Sequence, residues 1–199
     1  MNTALIIFVK NPELGKVKTR LAKTMGDDAA LDVYIQLLKH TSIVAKECQA
    51  QGLVFFSSTL PSNDPHWPKD HFQYFLQNDG NLGDRIQAAF KMAFEHFEKV
   101  IIVGSDCPGI NEELIHQADK VLEENNAVIG PAEDGGYYLL GLKKFHSSLF
   151  ENITWSEETV FEETIAAIQK LEWKYEILET LSDVDYEEDW LALKHLVRT

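Results

Sequence analysis

The chain has 199 residues, 45% of them hydrophobic and 25% charged, with a formal net charge of -14 at pH 7, which is core material for about one domain. So acidic an average surface repels phosphate polyanions and anionic lipid, which excludes a general nucleic-acid binder and a membrane-surface binder. No stretch has the length to span a bilayer, the N-terminal apolar run ALIIFV is too short for a signal peptide, and Cys48 and Cys107 lack disulfide-framework or zinc spacing, so a cytoplasmic protein with one domain over residues 1–199 is expected.

Short β-branched or aromatic runs at residues 4–9, 53–57, 72–76, 100–103, 127–129 and 137–142 read as strands, with a further candidate at 173–178. Between them, Leu31, Tyr34, Ile35, Leu38 and Ile43 recur at roughly helical spacing, as do Ile86, Ala89, Phe90, Ala93, Phe94 and Phe97. Asn111 can cap a helix over 112–122 and Ser156 one over 157–171, each with acids in the first turn. Residues 60–70, with three prolines, read as a surface loop, and a last helix is expected over 187–197. Strands alternating with helices predict an α/β fold with a largely parallel sheet covered on both faces. In such a sheet ligands bind outside the carboxyl ends of the strands, so the residues that follow each strand are the candidates.

Four places stand out. FVKNPELGKVKTRLAK, residues 8–23, gathers Lys10, Lys16, Lys18, Arg20 and Lys23 around a single acid, Glu13. After a strand and before a helix, such cations suit a di- or triphosphate, although GKVKT is not a P-loop. VGSDCPG puts Ser105 and Asp106 at the end of a strongly apolar strand, where the carboxylate either holds Mg²⁺ or Mn²⁺ or forms a turn. GPAEDGGYYLLGL places Glu133 and Asp134 before Gly135 and Gly136, a hairpin turn by local chemistry. SDVDYEEDW sets Asp183 and Asp185 on one side of an extended segment, a costly pair unless a cation neutralises it, while local chemistry alone favours Asp185 as a simple cap for the last helix. GNLGDRIQAAF adds Gly83 at a helix start and Arg85, to clamp a phosphate or pair with an acid. The seven histidines show no metal spacing and Cys107 has no assignable partner for nucleophilic work.

FVKNPELGKVKTRLA, GNLGDRIQAAF, VGSDCPGI, GPAEDGGYYLLGL, TWSEETVFEET and LSDVDYEEDW occur in the order found in a family of bacterial transferases. The chain resembles, over essentially its whole length, the radical-SAM/selenodomain-associated transferases, placed with the GT-A-type glycosyltransferases. It is also similar to the molybdenum-cofactor and 2-phospholactate guanylyltransferases of the wider nucleotide-diphospho-sugar transferase superfamily. SDCP supplies one aspartate where glycosyltransferases carry DxD, and the opening loop lacks the Gly-rich start of nucleotidyltransferases.

The resemblance implies a GT-A-like, Rossmann-like three-layer sandwich with a mostly parallel mixed sheet, binding a nucleotide or nucleotide sugar with Mg²⁺ or Mn²⁺ and a small-molecule acceptor. It implies Lys10, Lys18 and Arg20 at the phosphates, with Gly83, Arg85 and Ser105 beside the nucleotide, and Asp106 and Asp185 as metal ligands. Gly135, Gly136 and Tyr137 would line the acceptor, and Asp134 or Glu133 would serve as base if burial raised its pKa. Glycosyl transfer is the first expectation, nucleotidyl transfer with pyrophosphate release the second, and a catalytically silent nucleotide binder the third.

Overall fold

Strand β1 (Thr3–Val9) sends alternate side chains into different cores: Leu5, Ile7 and Val9 into one, Ala4 and Ile6 into another. Burial on both faces is what a central parallel strand requires. In the computed structural model, which describes residues 2–198, β1 pairs in parallel with β2 (Gln51–Phe56) and with β4 (Lys99–Val103). β2 pairs in parallel with β3 (Phe72–Leu76). Beyond β4 the direction reverses: β6 (Tyr137–Leu142) runs antiparallel to β4 and to β5 (Ala127–Pro131), and β7 (Tyr175–Ile177) closes the far side parallel to β5. The seven-stranded order is β3-β2-β1-β4-β6-β5-β7. The reversal follows from the turn after β5, where Gly135 takes φ 84° and its N–H donates to Ala132 O at 3.1 Å. The sheet is thus mixed and mostly parallel.

Helices cover both faces. α2 (Asp27–Glu47) and α4 (Glu112–Glu124) bury Tyr34, Leu38, Leu114 and Leu122 in the first core. α3 (Leu82–Ala93) and α5 (Val160–Lys170) bury Ile86, Phe90 and Ile168 in the second. A smaller third cluster joins α1 (Thr19–Met25), α2 and α6 (Glu187–Leu193) through Leu21, Val33, Leu37, Val184 and Trp190. Among the described residues no helix is long and apolar enough to cross a membrane.

Asn111 caps α4 as expected, its Oδ1 accepting from Leu114 N at 2.9 Å. Two expected boundaries differ. Ser156 does not cap α5, because it takes a left-handed φ of 70° and the helix begins only at Val160. The Glu163 carboxylate accepts from Thr154 N, Thr154 Oγ1 and Thr159 Oγ1, and so holds residues 154–159 as an irregular strap. The last helix ends at Leu193 and tightens into a 3₁₀ turn at Lys194–Leu196. Its N-terminus is held by Asp189, whose Oδ2 accepts from Asp185 N at 3.0 Å and Tyr186 N at 2.7 Å. Asp185 itself is therefore free of the capping role its sequence position allowed.

Candidate active site

The basic loop after β1 is fixed at both ends. At its start the buried Tyr34 hydroxyl accepts from Lys10 N at 2.8 Å and donates to Lys10 O at 3.0 Å. Next to it Asn11 Oδ1 accepts from Ser58 N at 3.0 Å, while Asn11 Nδ2 donates to Thr59 O at 2.9 Å, which ties the loop to the chain leaving β2. At its end Lys18 adopts φ 48°, a left-handed conformation uncommon for a residue with a Cβ, and its side chain is only 4% exposed. Two contacts hold it there: Lys18 Nζ lies 2.9 Å from Asp106 Oδ2 and donates to Val184 O at 2.7 Å.

Asp106 follows β4 through Gly104 and Ser105, and its backbone carbonyl accepts from Val184 N at 3.0 Å. Because Val184 is fully buried in the third cluster, that bond fixes the DVD segment beside Asp106, with Asp183 and Asp185 flanking the anchor. Arg20 Nη1 then meets Asp185 Oδ2 at 2.5 Å, and the guanidinium is held above its ordinary pKa by Asp185 first, with Tyr186 and Asp134 adding to it. The result is an alternation of charge: Lys18 against Asp106, Arg20 against Asp185, and Asp183 between. Burial pushes the Asp183 carboxyl up to about 7, and the negative charges of Asp106, Asp134 and Asp185 push the same way against Lys18. Ser105 is buried, with Oγ 3.4 Å from Asp106 Oδ1 and 3.5 Å from the Tyr34 hydroxyl.

The structure therefore gathers Lys18, Arg20, Ser105, Asp106 and Asp185 at the carboxyl ends of β1 and β4. Lys10 joins them by backbone only, its side chain exposed. Other candidates are placed differently. Asp134 is exposed and accepts from Gly136 N at 2.9 Å, serving its own turn, and the exposed Glu133 accepts from Ser182 Oγ. The burial a base would need is found at Asp183 and not at either of these. Arg85 Nε donates to Gly80 O at 3.0 Å and so orders the loop before α3. Gly83 lies under an indole: a Cβ there would come within 2.0 Å of Trp155 Nε1, so close packing requires this glycine. Gly135 is covered in the same way, a Cβ meeting Glu158 O at 2.1 Å, and Phe161 N donates to Gly135 O at 2.9 Å. The strap of residues 154–159 thus runs from the start of α3 to the β5–β6 turn, over the side expected to take an acceptor. Tyr137, just past that turn, has an enclosed hydroxyl with no hydrogen-bond partner among the described residues. Cys107 is a buried packing residue whose thiol burial pushes above its ordinary pKa.

Sequence reasoning paired Asp183 with Asp185 but gave it no role of its own, and it missed Trp155. The DVD alternation did signal that Asp183 and Asp185 share a side, but the burial that distinguishes them comes from long-range packing. As a metal centre the cluster is incomplete: among the described residues no group of three or more His, Cys, Asp or Glu side chains is arranged to hold an ion. The chemistry of its donors nevertheless suits a hard cation, since Asp106 and Asp185 each offer carboxylate oxygens and Mg²⁺ is ordinarily held by one or two carboxylates together with substrate phosphates. A cavity of about 240 Å³ lies at the opposite pole, lined by Asn2, Lys99 and Asp119 among others. The charged cluster reaches solvent through its aspartates, the Asp106 and Asp185 side chains being 38% and 36% exposed.

Comparison with known proteins agrees with this architecture. Residues 39–157 match the family described as "uncharacterized protein conserved in bacteria (DUF2064)". The chain belongs to that family. This DUF2064 protein is 30% identical to a proposed nucleotide-diphospho-sugar transferase from Desulfovibrio desulfuricans G20, with a TM-score of 0.88 over 96% of this chain and 86% of that one. More distant structures share the fold. One is 4-diphosphocytidyl-2C-methyl-D-erythritol synthase from Anaerococcus prevotii DSM 20548, 12% identical at a TM-score of 0.62, covering 97% of this chain and 94% of that chain. Another is the manganese complex of Rv0371c from Mycobacterium tuberculosis H37Rv, 10% identical at 0.61, covering 97% and 98%. No curated protein matches the chain. The DUF2064 chain thus has the GT-A-like fold of nucleotide-diphospho-sugar transferases.

Proposed function

We propose that this DUF2064 protein is a metal-dependent glycosyltransferase with a nucleotide-sugar donor, its one domain carrying the whole site. The observation that carries the reading is the bond from Val184 N to Asp106 O at 3.0 Å, which sets Asp185 beside Asp106 and both beside Lys18 and Arg20. Carboxylates that would hold the metal and cations that would bind phosphate are then neighbours at the carboxyl ends of the strands. Lys18, Arg20 and the exposed Lys10 neutralise the phosphates, and Ser105 stands beside Asp106. A divalent cation on Asp106 and Asp185 would supply charge stabilisation at the leaving phosphate. Asp134 accepts a hydrogen bond from the acceptor hydroxyl, next to Gly135, Gly136 and Tyr137. The strap forms the wall on that side, so Gly83 acts through Trp155 and Arg85 through the loop it orders.

Nucleotidyl transfer is the second reading, favoured by the charge of the opening loop, which suits a triphosphate as well as a diphosphate. The radical-SAM association is carried by motif order alone. Product analysis separates the reactions. Nucleoside diphosphate released from nucleotide sugars, without pyrophosphate, supports glycosyl transfer; pyrophosphate formed only from a triphosphate overturns it in favour of nucleotidyl transfer.

A further inference from the structure

The sheet ends in β3 on one side and in β7 on the other, and the two edges are built differently. β7 is three residues long, carries Glu176 and is flanked by Lys174 and Glu179, the short charged strand that discourages further pairing. β3 lacks these protections: it reads FQYFL, with no charge and no proline. Its register with β2 is unbroken, and just beyond it Gln77 N donates to Phe56 O at 2.9 Å. By alternation Gln73 and Phe75 turn their N–H and C=O groups to β2, while Tyr74 and Leu76 turn theirs away from the sheet. No strand pairs with that side among the described residues. Phe72 N donates to Pro68 O at 3.1 Å, so of its two backbone groups the C=O is left facing outward.

Beside this edge a groove of about 290 Å³ runs between β3 and α3, lined by Phe55, Phe75, Leu76 and Met92 and bordered by Lys91 and Glu95. Phe55 and Phe75 stack at 5.1 Å between ring centroids, and Leu76 is 46% exposed. The edge is complementary to itself. With Tyr74 set antiparallel against Tyr74 of a second copy, each N–H meets the other's C=O, and Leu76 N–H meets the open Phe72 C=O. Lys69, whose ammonium lies 5.3 Å from the centre of the Tyr74 ring, and Asp79 are equally far from Tyr74 in sequence, one before the strand and one after it. An antiparallel partner therefore sets Lys69 against Asp79 at both ends, and Asp70 falls opposite the neutral Asn78. A parallel partner would set Lys69 on Lys69 and Asp79 on Asp79.

We propose that this protein forms a two-fold dimer through β3, the two sheets joining antiparallel about Tyr74 and the two grooves between β3 and α3 meeting on one face. Leu76 and Phe75 supply its apolar contact, and Lys69 with Asp79 fixes its direction. The inference is independent of the chemistry proposed at Asp106, since β1 and β2 separate this edge from β4.

Sedimentation velocity on the full chain, from about 1 to 100 µM, should show a dimer that dissociates on dilution. Leu76→Lys should weaken it at least about tenfold by placing like charges across the dyad, and Gln73→Lys, at a second exposed position, does the same if Leu76→Lys fails to fold. Lys69→Glu should also weaken the dimer, and Lys69→Glu/Asp79→Lys should recover it, which a merely structural loss would not do. Amide exchange at Tyr74 and Leu76 should slow as concentration rises, with no change at Glu176. A monomer at every concentration overturns the proposal and leaves the edge to a partner of another kind. A dimer whose affinity withstands the lysine substitutions and Lys69→Glu, or a double charge reversal that recovers nothing, overturns it as well.

Discussion

Lys18 Nζ sits 2.9 Å from Asp106 Oδ2, joining the loop after β1 to the end of β4 by a lysine whose side chain is 4% exposed. The pair is asymmetric, since the Asp106 side chain is 38% exposed and reaches solvent. Asp106→Asn leaves the ammonium with Val184 O as its remaining partner. Loss of one member of a buried pair costs about 3–5 kcal/mol, and the exposure of Asp106 reduces this to about 1–2 kcal/mol. Urea unfolding in the absence of metal should show that loss, whereas Asp185→Asn, at the exposed Arg20 pair, should leave the midpoint unchanged. Equal effects would mean that burial of Lys18 has no energetic weight.

Asp183 makes metal-free stability depend on pH. Its carboxyl is raised from an ordinary 3.8 to about 7 in the folded chain, by burial first and then by Asp106 and Asp134. Between those values the folded state holds a proton that the unfolded state has released. The stabilisation is therefore complete below pH 3.8 and is lost as pH rises through 7. Asp183→Asn should match wild type near pH 4 and exceed it at pH 8 by roughly 1–2 kcal/mol, a figure discounted because Asp183 is half-buried and titrates with its neighbours. Midpoints measured in chelator across pH 4–8 check this, and parallel curves for the two proteins would contradict it.

The strap depends on two glycines. Gly135→Ala meets both a φ of 84° and the Glu158 backbone at 2.1 Å from the new Cβ, so a loss of about 2–3 kcal/mol is expected. Gly83→Ala meets the indole of Trp155, which can move, so the expected result is displacement of the strap with a smaller loss of stability. A changed tryptophan fluorescence spectrum in Gly83→Ala, absent from Gly83→Ala/Trp155→Phe, would locate the effect. An unchanged spectrum would count against the packing.

The strands were legible because their β-branched and aromatic runs are short and lie between helical periods; residues 72–76 and 137–142 emerge as β3 and β6 with the bounds read from the sequence. The antiparallel turn at Gly135 was visible in its own chemistry. Helix starts were harder where a side chain from further along intervenes: Glu163 captures Thr154 and Thr159 and delays α5 beyond Ser156. Likewise Asp189 takes the capping bonds that Asp185 could have made. The basic loop and the aspartates were each visible as local oddities, but their direct pairing was not, because it depends on the backbone bond from Val184 to Asp106 across 78 positions.

Within the basic loop, position should matter more than charge. Arg20→Glu and Lys23→Glu change the net charge equally, yet only Arg20 reaches the aspartate cluster, while Lys23 is exposed in the last turn of α1. Calorimetric titration with Mn²⁺ and a nucleotide should show about a tenfold loss or more for Arg20→Glu and little change for Lys23→Glu. Equal losses would make the loop a diffuse attractor of anions.

The central claim is that the Lys18, Arg20, Asp106 and Asp185 cluster binds a nucleotide with a divalent cation. Thermal unfolding of wild type and Asp106→Asn against a panel of nucleotides and nucleotide sugars, with and without Mn²⁺, tests it most directly. A ligand at a hundred times its Kd stabilises by about 2.7 kcal/mol, so wild type should shift upward with at least one nucleotide and Mn²⁺, and Asp106→Asn should not. No shift of wild type with any member of the panel, or an equal shift in Asp106→Asn, would contradict it.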